Sequence, residues 1–498
     1  MAPLELTRRD VLAAFLGSAV ACGVRRHELP PGTLVGASHE FGHRLRGAAG
    51  FSPPEKWESH DIVIAGGGVA GLAAAWRLDH RDAIVLELEP SLGGTSRSGA
   101  AFPWGAHYII APSPENRVLA RLLEEMGVMH RGEIGEEFLV RDPEERLFYR
   151  GRWYDGLYLH AGASAEDERQ RRAFEAEMSK WRERRAFTIP VAYCSSDADA
   201  LDGLSMAEWM NARGFTSPRL RWFVEYACRD DYGSLLADTS AWAAIFYFAS
   251  RDDRPVITWP EGNGRLVSHL ARRARVQTNS LVTRITPTDA GADVIVLRGE
   301  ETIGIHARHV IFAAPQFLAR HVIPSRATSP EFTYGSWMVA NLFLRDRPGP
   351  LAWDNVLYDS PSLGYVTATH QRGLDHGPTV LTYYYPICDP DVRRGREKLL
   401  AAGRDDWADV ALTDLSRAHP NLRVLTDRID IMRWGHAMVR PRPGFVRSAA
   451  RRAAAQPFRT IHFANTDLSA VPLFEEALYH GVRAAEEVLE GEGGGTWL

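Results

Sequence analysis

Lysine is almost missing from this chain. Of its 58 basic residues only Lys56, Lys180 and Lys398 are lysines, so chemistry that relies on a side-chain amine has three places to go. Cysteine is scarce as well. Cys22, Cys194, Cys228 and Cys388 are too widely spaced for a disulfide framework or a thiolate metal site, and no metal is expected. The last three read as small buried residues. Neither charge sign dominates: the net charge is −5 over 498 residues, which gives no reason to expect nucleic acid as a partner. No internal repeat is evident. What is left is an ordinary globular composition, 45% hydrophobic and 24% charged, with length for two or three domains.

The N-terminus reads as an address rather than as fold. Thr7-Arg8-Arg9-Asp10-Val11-Leu12 has the pattern of a twin-arginine export signal. The apolar run Val11–Ala21 that follows is too short to span a bilayer permanently. Ala19-Val20-Ala21 is a small-residue cleavage site, and Cys22 behind it reads as a lipid-acylation site. The expectation is an exported, periplasmic protein, either free or anchored through Cys22. Twin-arginine export carries folded proteins, which suits a chain that loads a cofactor first. Residues 23–58, with Pro30-Pro31-Gly32 and Pro53-Pro54, read as a linker or extended arm.

Residues 60–98 hold the chemistry-bearing motif. Ile62-Val63-Ile64 is a buried-strand run, and Gly66, Gly68 and Gly71 fit G-x-G-x-x-G. The first glycine turns the chain, the second lets backbone approach a pyrophosphate, and the third lets helix pack on strand. The helix predicted from about Val69 to Leu78 aims free N–H groups of Val69, Ala70 and their neighbours at phosphate. A second strand, Ala83–Leu86, ends at Glu87, sixteen residues past the last glycine, where a carboxylate would accept ribose hydroxyls. Strand, glycine turn, helix, strand and acid in that order predict a dinucleotide site.

The run Ser91-Leu92-Gly93-Gly94-Thr95-Ser96-Arg97-Ser98 narrows the dinucleotide. Together with the glycine turn and Glu87 it resembles the opening of the flavin-containing amine oxidoreductases, the monoamine oxidase, protoporphyrinogen oxidase and phytoene desaturase relatives. Their opening is a glycine turn, an acid, then G-G-R; here Thr95 stands in the arginine position and Arg97 lies two residues on. The far end, Thr460–Leu489, is similar to the family's closing strand, turn and helix, with Asn465 and Glu476 in place of glycines. The resemblance implies FAD, held by Gly66, Gly68, Val69, Ala70, Gly71, Glu87, Gly93, Gly94, Thr95, Arg97, Gly105, Ala106, His107, Val282, Asp467 and Ala477. It implies an α/β fold: a discontinuous G-x-G-x-x-G, Rossmann-like FAD domain with a mixed α+β substrate domain.

The expected division is a signal at 1–22, an arm at 23–58, FAD-domain segments at 59–112, 271–330 and 441–498, and substrate-domain segments at 113–270 and 331–440. Within these, 113–230 reads as mainly helical. Arg275–Ile285, Ala292–Arg298 and Thr302–His306 read as a small antiparallel sheet, and His309–Ala314 as a separate apolar strand. Trp337–Leu344 and Val380–Tyr385 read as substrate-sheet strands.

The resemblance implies an FAD-dependent oxidoreductase that removes a hydride equivalent from an amine or a more apolar, desaturase-type small molecule, with oxygen or a quinone as electron acceptor. An isomerase or mutase of the same architecture, and a protein keeping FAD only as structure, are the alternatives. His107 is the candidate base, set against a plain hydrogen-bonding role beside the cofactor. Arg229-Asp230-Asp231 puts three charges in an apolar helical run, so they must be paired or face a cleft. Amine oxidases of this family carry a lysine near the flavin, in a strand that corresponds to Trp337–Leu344; this strand has none.

Overall fold

A computed structural model describes residues 29–36, 39–46, 51–251, 254–326, 331–490 and 496–498. The export signal and Cys22 lie outside them. Two sheets organise the chain. In the first, Arg275–Gln277, Ala83–Leu86, Lys56–Ala65 and Glu301–Phe312 run parallel, with Ile461–Phe463 pairing beyond. Ile62, Val63 and Ile64 are fully buried between helices, which is why that strand reads as a continuous apolar run rather than an alternating one. The helix Val69–Arg77 starts directly after Gly68 and is covered by Phe474–Leu489. Contact is so close that a Cβ on Gly481 would stand 2.2 Å from the Ala70 carbonyl oxygen.

The antiparallel strands expected as a separate small sheet are part of this one. Glu301–Phe312 is one unbroken strand that joins Thr302–His306 to His309–Phe312; its first half pairs with Ala292–Arg298 and its second with Ile461–Phe463. Arg275–Ile285 divides at Asn279, whose φ of 51° turns the chain. Arg275–Gln277 then pairs with Ala83–Leu86, and Ser280–Pro287 with Ala292–Arg298.

The second sheet has eight strands, in the order Leu34–Gly36, Thr426–Val439, Tyr334–Leu344, Thr379–Ile387, Gly364–Thr367, Asp354–Leu357, Glu145–Tyr149 and Arg152–Asp155. The last two form a hairpin inside the stretch expected to be helical. Its turn, Arg150-Gly151, has positive φ at both residues, the geometry of a tight two-residue hairpin, written with arginine where asparagine is usual. The arm is built into the opposite edge. Thr33 donates from its N–H and hydroxyl to the buried Asp430 Oδ1 at 2.8 and 3.0 Å, and Leu34–Gly36 lies parallel to Thr426–Val439. From there the chain passes through the short helix His39–His43 to the first strand of the other sheet. No helix among the described residues is long and apolar enough to cross a membrane, and Cys194, Cys228 and Cys388 are all free.

Candidate active site

A cavity of about 1250 Å³ runs between the two sheets. At one end it is floored by the glycine turn. Gly66 has φ of 114°, and a Cβ there would press the Ala313 carbonyl, so only glycine fits the turn without strain. A Cβ on Gly71 would stand 1.9 Å from the Gly66 oxygen, whereas around Gly68 the space is open. That contrast is a cradle: one glycine for packing, and one leaving room for a phosphate against the N-terminus of Val69–Arg77. Gly93 (φ 105°) and Gly94 (φ 55°) follow, with the Gly93 N–H donating to the Gly67 carbonyl at 2.9 Å.

Glu87 faces this end. Its Oε2 accepts from the Gly67 N–H at 2.6 Å and its Oε1 from the Glu89 N–H at 2.8 Å. Burial raises its pKa against the pull of those two donors. Asp467 is handled the same way: Oδ2 accepts from the Gln316 N–H at 2.7 Å and the Tyr334 hydroxyl at 2.5 Å. Burial lifts its carboxyl to about 6. The two departures from glycine have simple reasons. Asn465 is fully extended, a conformation open to any residue, and its Oδ1 accepts from the Asp467 N–H. Glu476 buries its carboxylate on the Val191 N–H at 2.7 Å and on Ser469.

The inner end is walled by His107, Tyr108, Trp337, Val339 and Tyr384, with Asp230, Asp231 and Arg251. The loop carrying Gly105, Ala106 and His107 is pinned from both sides. Tyr384 donates to the Gly105 carbonyl at 2.8 Å, Trp434 to that of Trp104 at 2.7 Å, and the Asn263 amide N–H to that of Ala106 at 3.2 Å. A Cβ on Gly105 would collide with the Thr95 carbonyl. His107 stacks on Tyr384 with ring centroids 5.1 Å apart, and burial pushes its pKa down to about 4. It is a neutral imidazole at physiological pH.

The three charges on Pro218–Tyr232 divide between pairing and exposure to the cleft. Arg229 turns to the carbonyls of Ser360 and Pro361 at 3.3 and 3.1 Å. Asp231 pairs with Arg251, which also donates to the Tyr108 hydroxyl at 2.9 Å. Asp230 lines the cavity and takes no hydrogen bond from any described residue. Burial raises its pKa, Asp231 and Glu145 add to the rise, and Arg251 opposes it. Behind it Glu145 is pushed up to about 7 by burial and Glu144, and Asp354 is raised by burial, then by Glu145 and Asp230.

Fourteen of the sixteen expected cofactor residues therefore line one cavity; the other two do not. Gly71 packs helix on strand. Arg97 is buried beside Glu89 at 3.4 Å and Ser91 at 3.3 Å, with its guanidinium 4.8 Å over Trp434. Arg46, Arg251 and Arg396 also line the cavity and carried no motif to announce them. No cluster of metal ligands occurs among the described residues.

The comparisons with known proteins agree with this geometry. Oxidoreductase PigB of a Serratia species is 22% identical, over 88% of this chain and 76% of its own. An engineered triple mutant of putrescine oxidase superposes with a TM-score of 0.64 at 16% identity, covering 87% of this chain and 99% of its own. A fatty acid isomerase from P. acnes gives 0.61 at 16% identity, covering 87% and 98%. At such identities the structural likenesses establish the fold, which hosts more than one reaction. The sequence profile of the flavin containing amine oxidoreductases matches residues 69–489. With the glycine cradle, the acid at Glu87 and the closing helix converging on one cavity, the chain belongs to that family and is an FAD-dependent oxidoreductase.

Proposed function

We propose that this protein removes a hydride equivalent from a small-molecule amine held at the inner end of the cavity, working outside the cytoplasm after twin-arginine export. The observation that carries the substrate reading is Asp230, a carboxylate with no hydrogen-bond donor among the described residues, in a cavity end otherwise lined by His107, Tyr108, Trp337, Val339 and Tyr384 and by the Asp231–Arg251 pair. An apolar polyene would leave that charge buried and unpaired, which costs several kcal/mol or forces protonation.

Bound FAD supplies the hydride acceptor. The protein's part is to bind, orient and manage a proton. An amine arrives as an ammonium ion, and its C–H bond weakens only once the nitrogen lone pair is free. Asp230, with its raised pKa, is suited to take that proton. Arg251 pairs with Asp231 and keeps it out of the way. His107, Tyr384 and Trp337 give flat walls that orient the substrate and exclude water. Phe474, Glu475 and Ala477 bring a helix N-terminus without a side-chain cap to the cavity, where its dipole favours negative charge in a reduced ring. Oxygen or a membrane quinone would serve as the electron acceptor.

Anaerobic titration of the holoenzyme with amines, amino acids and polyenes tests this. Bleaching of the flavin absorbance by amines is the expected result; bleaching by polyenes alone, or by nothing, would overturn it. Export rests on Arg8 and Arg9, with Cys22 as a lipid anchor. Arg8→Lys with Arg9→Lys should hold the protein in the cytoplasm, and unaltered export of that variant would sink the idea.

A further inference from the structure

The cavity's outer wall carries positive charge that no ion pair among the described residues takes up. Arg46 comes from the arm, and Arg396 from the helix Val392–Ala401. Both line the cavity together with His43 and His436, and none of the four has a hydrogen-bond or ion-pair partner among the described residues. They lie within electrostatic reach of each other. Burial lowers Arg396, with Arg46 the next cause. His436 is pushed down to about 3 by burial, then by Arg396, Arg46 and His43. The nearby acids are occupied: Glu397 pairs with Arg393 at 3.3 Å, and Asp467 holds Gln316 and Tyr334.

Their position can be traced residue by residue. Arg396 lies along Gly435, where a Cβ would be 3.8 Å from its Cδ. His436 stacks on Phe317 at 4.2 Å between centroids. Phe317 follows Gln316, whose N–H is bonded to Asp467. The cations thus lie toward the corner where Asp467 and Asn465 close the dinucleotide half, and Asn465 reaches the Ala313 carbonyl that abuts Gly66 of the glycine turn.

That turn cannot balance a diphosphate by itself. Each phosphate carries a negative charge, and a helix N-terminus supplies only about half a positive one. The arginine expected after Gly93-Gly94 is Thr95, and Arg97 is buried against Glu89 and Trp434 and does not itself line the cavity. We propose that Arg46 and Arg396 form an anion site for the FAD diphosphate, so that the arm and the substrate half provide the countercharge that the dinucleotide half lacks. Arginine suits the task because its guanidinium is weakly hydrated and forks onto phosphate oxygens.

The test is flavin retention, independent of turnover. Full-chain holoenzyme and the R46Q/R396Q variant are diluted, and FAD release is followed by its fluorescence. Each protein is then titrated with FAD and with riboflavin, which shares the ring but has no phosphate. The variant should release FAD about tenfold faster or more, with a matching loss of affinity, and bind riboflavin as wild type does. Added salt should narrow the gap. Arg46→Lys, on the exposed arm, should restore part of the retention lost in Arg46→Gln. Equal weakening toward FAD and riboflavin would mean a collapsed wall and overturn the site. So would unchanged FAD release, no release from either protein, or a loss confined to binding of free inorganic pyrophosphate by the loaded enzyme.

Discussion

Glu87 and Asp230 both line the cavity, yet the two halves of the molecule treat them differently. In the dinucleotide half, Glu87 receives two backbone N–H donors, and Asp467 and Glu476 are likewise capped by backbone and hydroxyl donors. In the substrate half, Asp230 receives none, while its neighbour Asp231 holds the nearest guanidinium. A capped carboxylate is a fixed part of a binding surface. A bare one is held at a cost and gives up that cost when a cation or proton arrives. The acids of the dinucleotide half are therefore satisfied before its ligand binds, and Asp230 of the substrate half is not.

The sharpest way to break this contrast is Asp230→Asn. Turnover of an amine that bleaches the wild-type flavin should fall about a hundredfold in kcat/KM, the ordinary worth of a positioned acid or base. Stability should move the other way. The folded pKa of Asp230 is raised above its unfolded value, so the ionised form is penalised in the fold. That penalty is absent below the unfolded pKa and grows as pH rises toward the folded one. The variant should therefore melt higher than wild type at pH 8 and level with it at pH 4. A variant that loses both stability and turnover at pH 8 would show that Asp230 is structural.

Glu87→Gln asks the converse question and should have a smaller effect. The amide keeps one acceptor but turns an NH2 group toward one of the two N–H donors, leaving a buried clash of like polarity. A loss of about 1–2 kcal/mol is expected, read as a lower melting temperature with reduced flavin content. Were Glu87→Gln to raise stability as Asp230→Asn does, the two carboxylates would be alike and the contrast void.

The same division governs what could be read in the chain. The dinucleotide half is written locally: Gly66, Gly68, Gly71 and Glu87 fall within 22 residues, each required by a backbone angle or a close approach that leaves a sequence mark. The parallel strand pairing follows from those short crossings. Glu301–Phe312 was less legible because along one edge its halves change partners, and a change of partner leaves no mark in periodicity. The substrate half is assembled at distance. Tyr384 meets Gly105 across 279 residues, and Arg251 reaches Asp231 from another helix's end. Aromatic and charged residues there are common enough that only the fold says which of them meet. The hairpin at Arg150-Gly151 escaped because arginine is an unusual residue for its turn, and Arg46 because a proline- and glycine-rich arm gives no hint of what it covers.

The smallest expected effect tests the residue that the sequence offered as a candidate base against a plain hydrogen-bonding role. His107 is stacked on Tyr384 and its pKa is depressed to about 4, so it is neutral throughout the range where an amine is handled and too weakly basic to hold an ammonium proton. His107→Asn should change kcat far less than the roughly hundredfold typical of a general base, and leave the pH profile of kcat/KM between 5 and 9 in place. Its mark should appear in acid stability instead. With a folded pKa below the unfolded value, the neutral ring is favoured in the fold; that stability is complete above the unfolded pKa and is lost as pH falls toward about 4. The variant should lose less stability than wild type on acidification from pH 7 to pH 4. If its kcat/KM profile loses a limb while Asp230→Asn keeps one, the proton belongs to His107, and the bare carboxylate is there for charge alone.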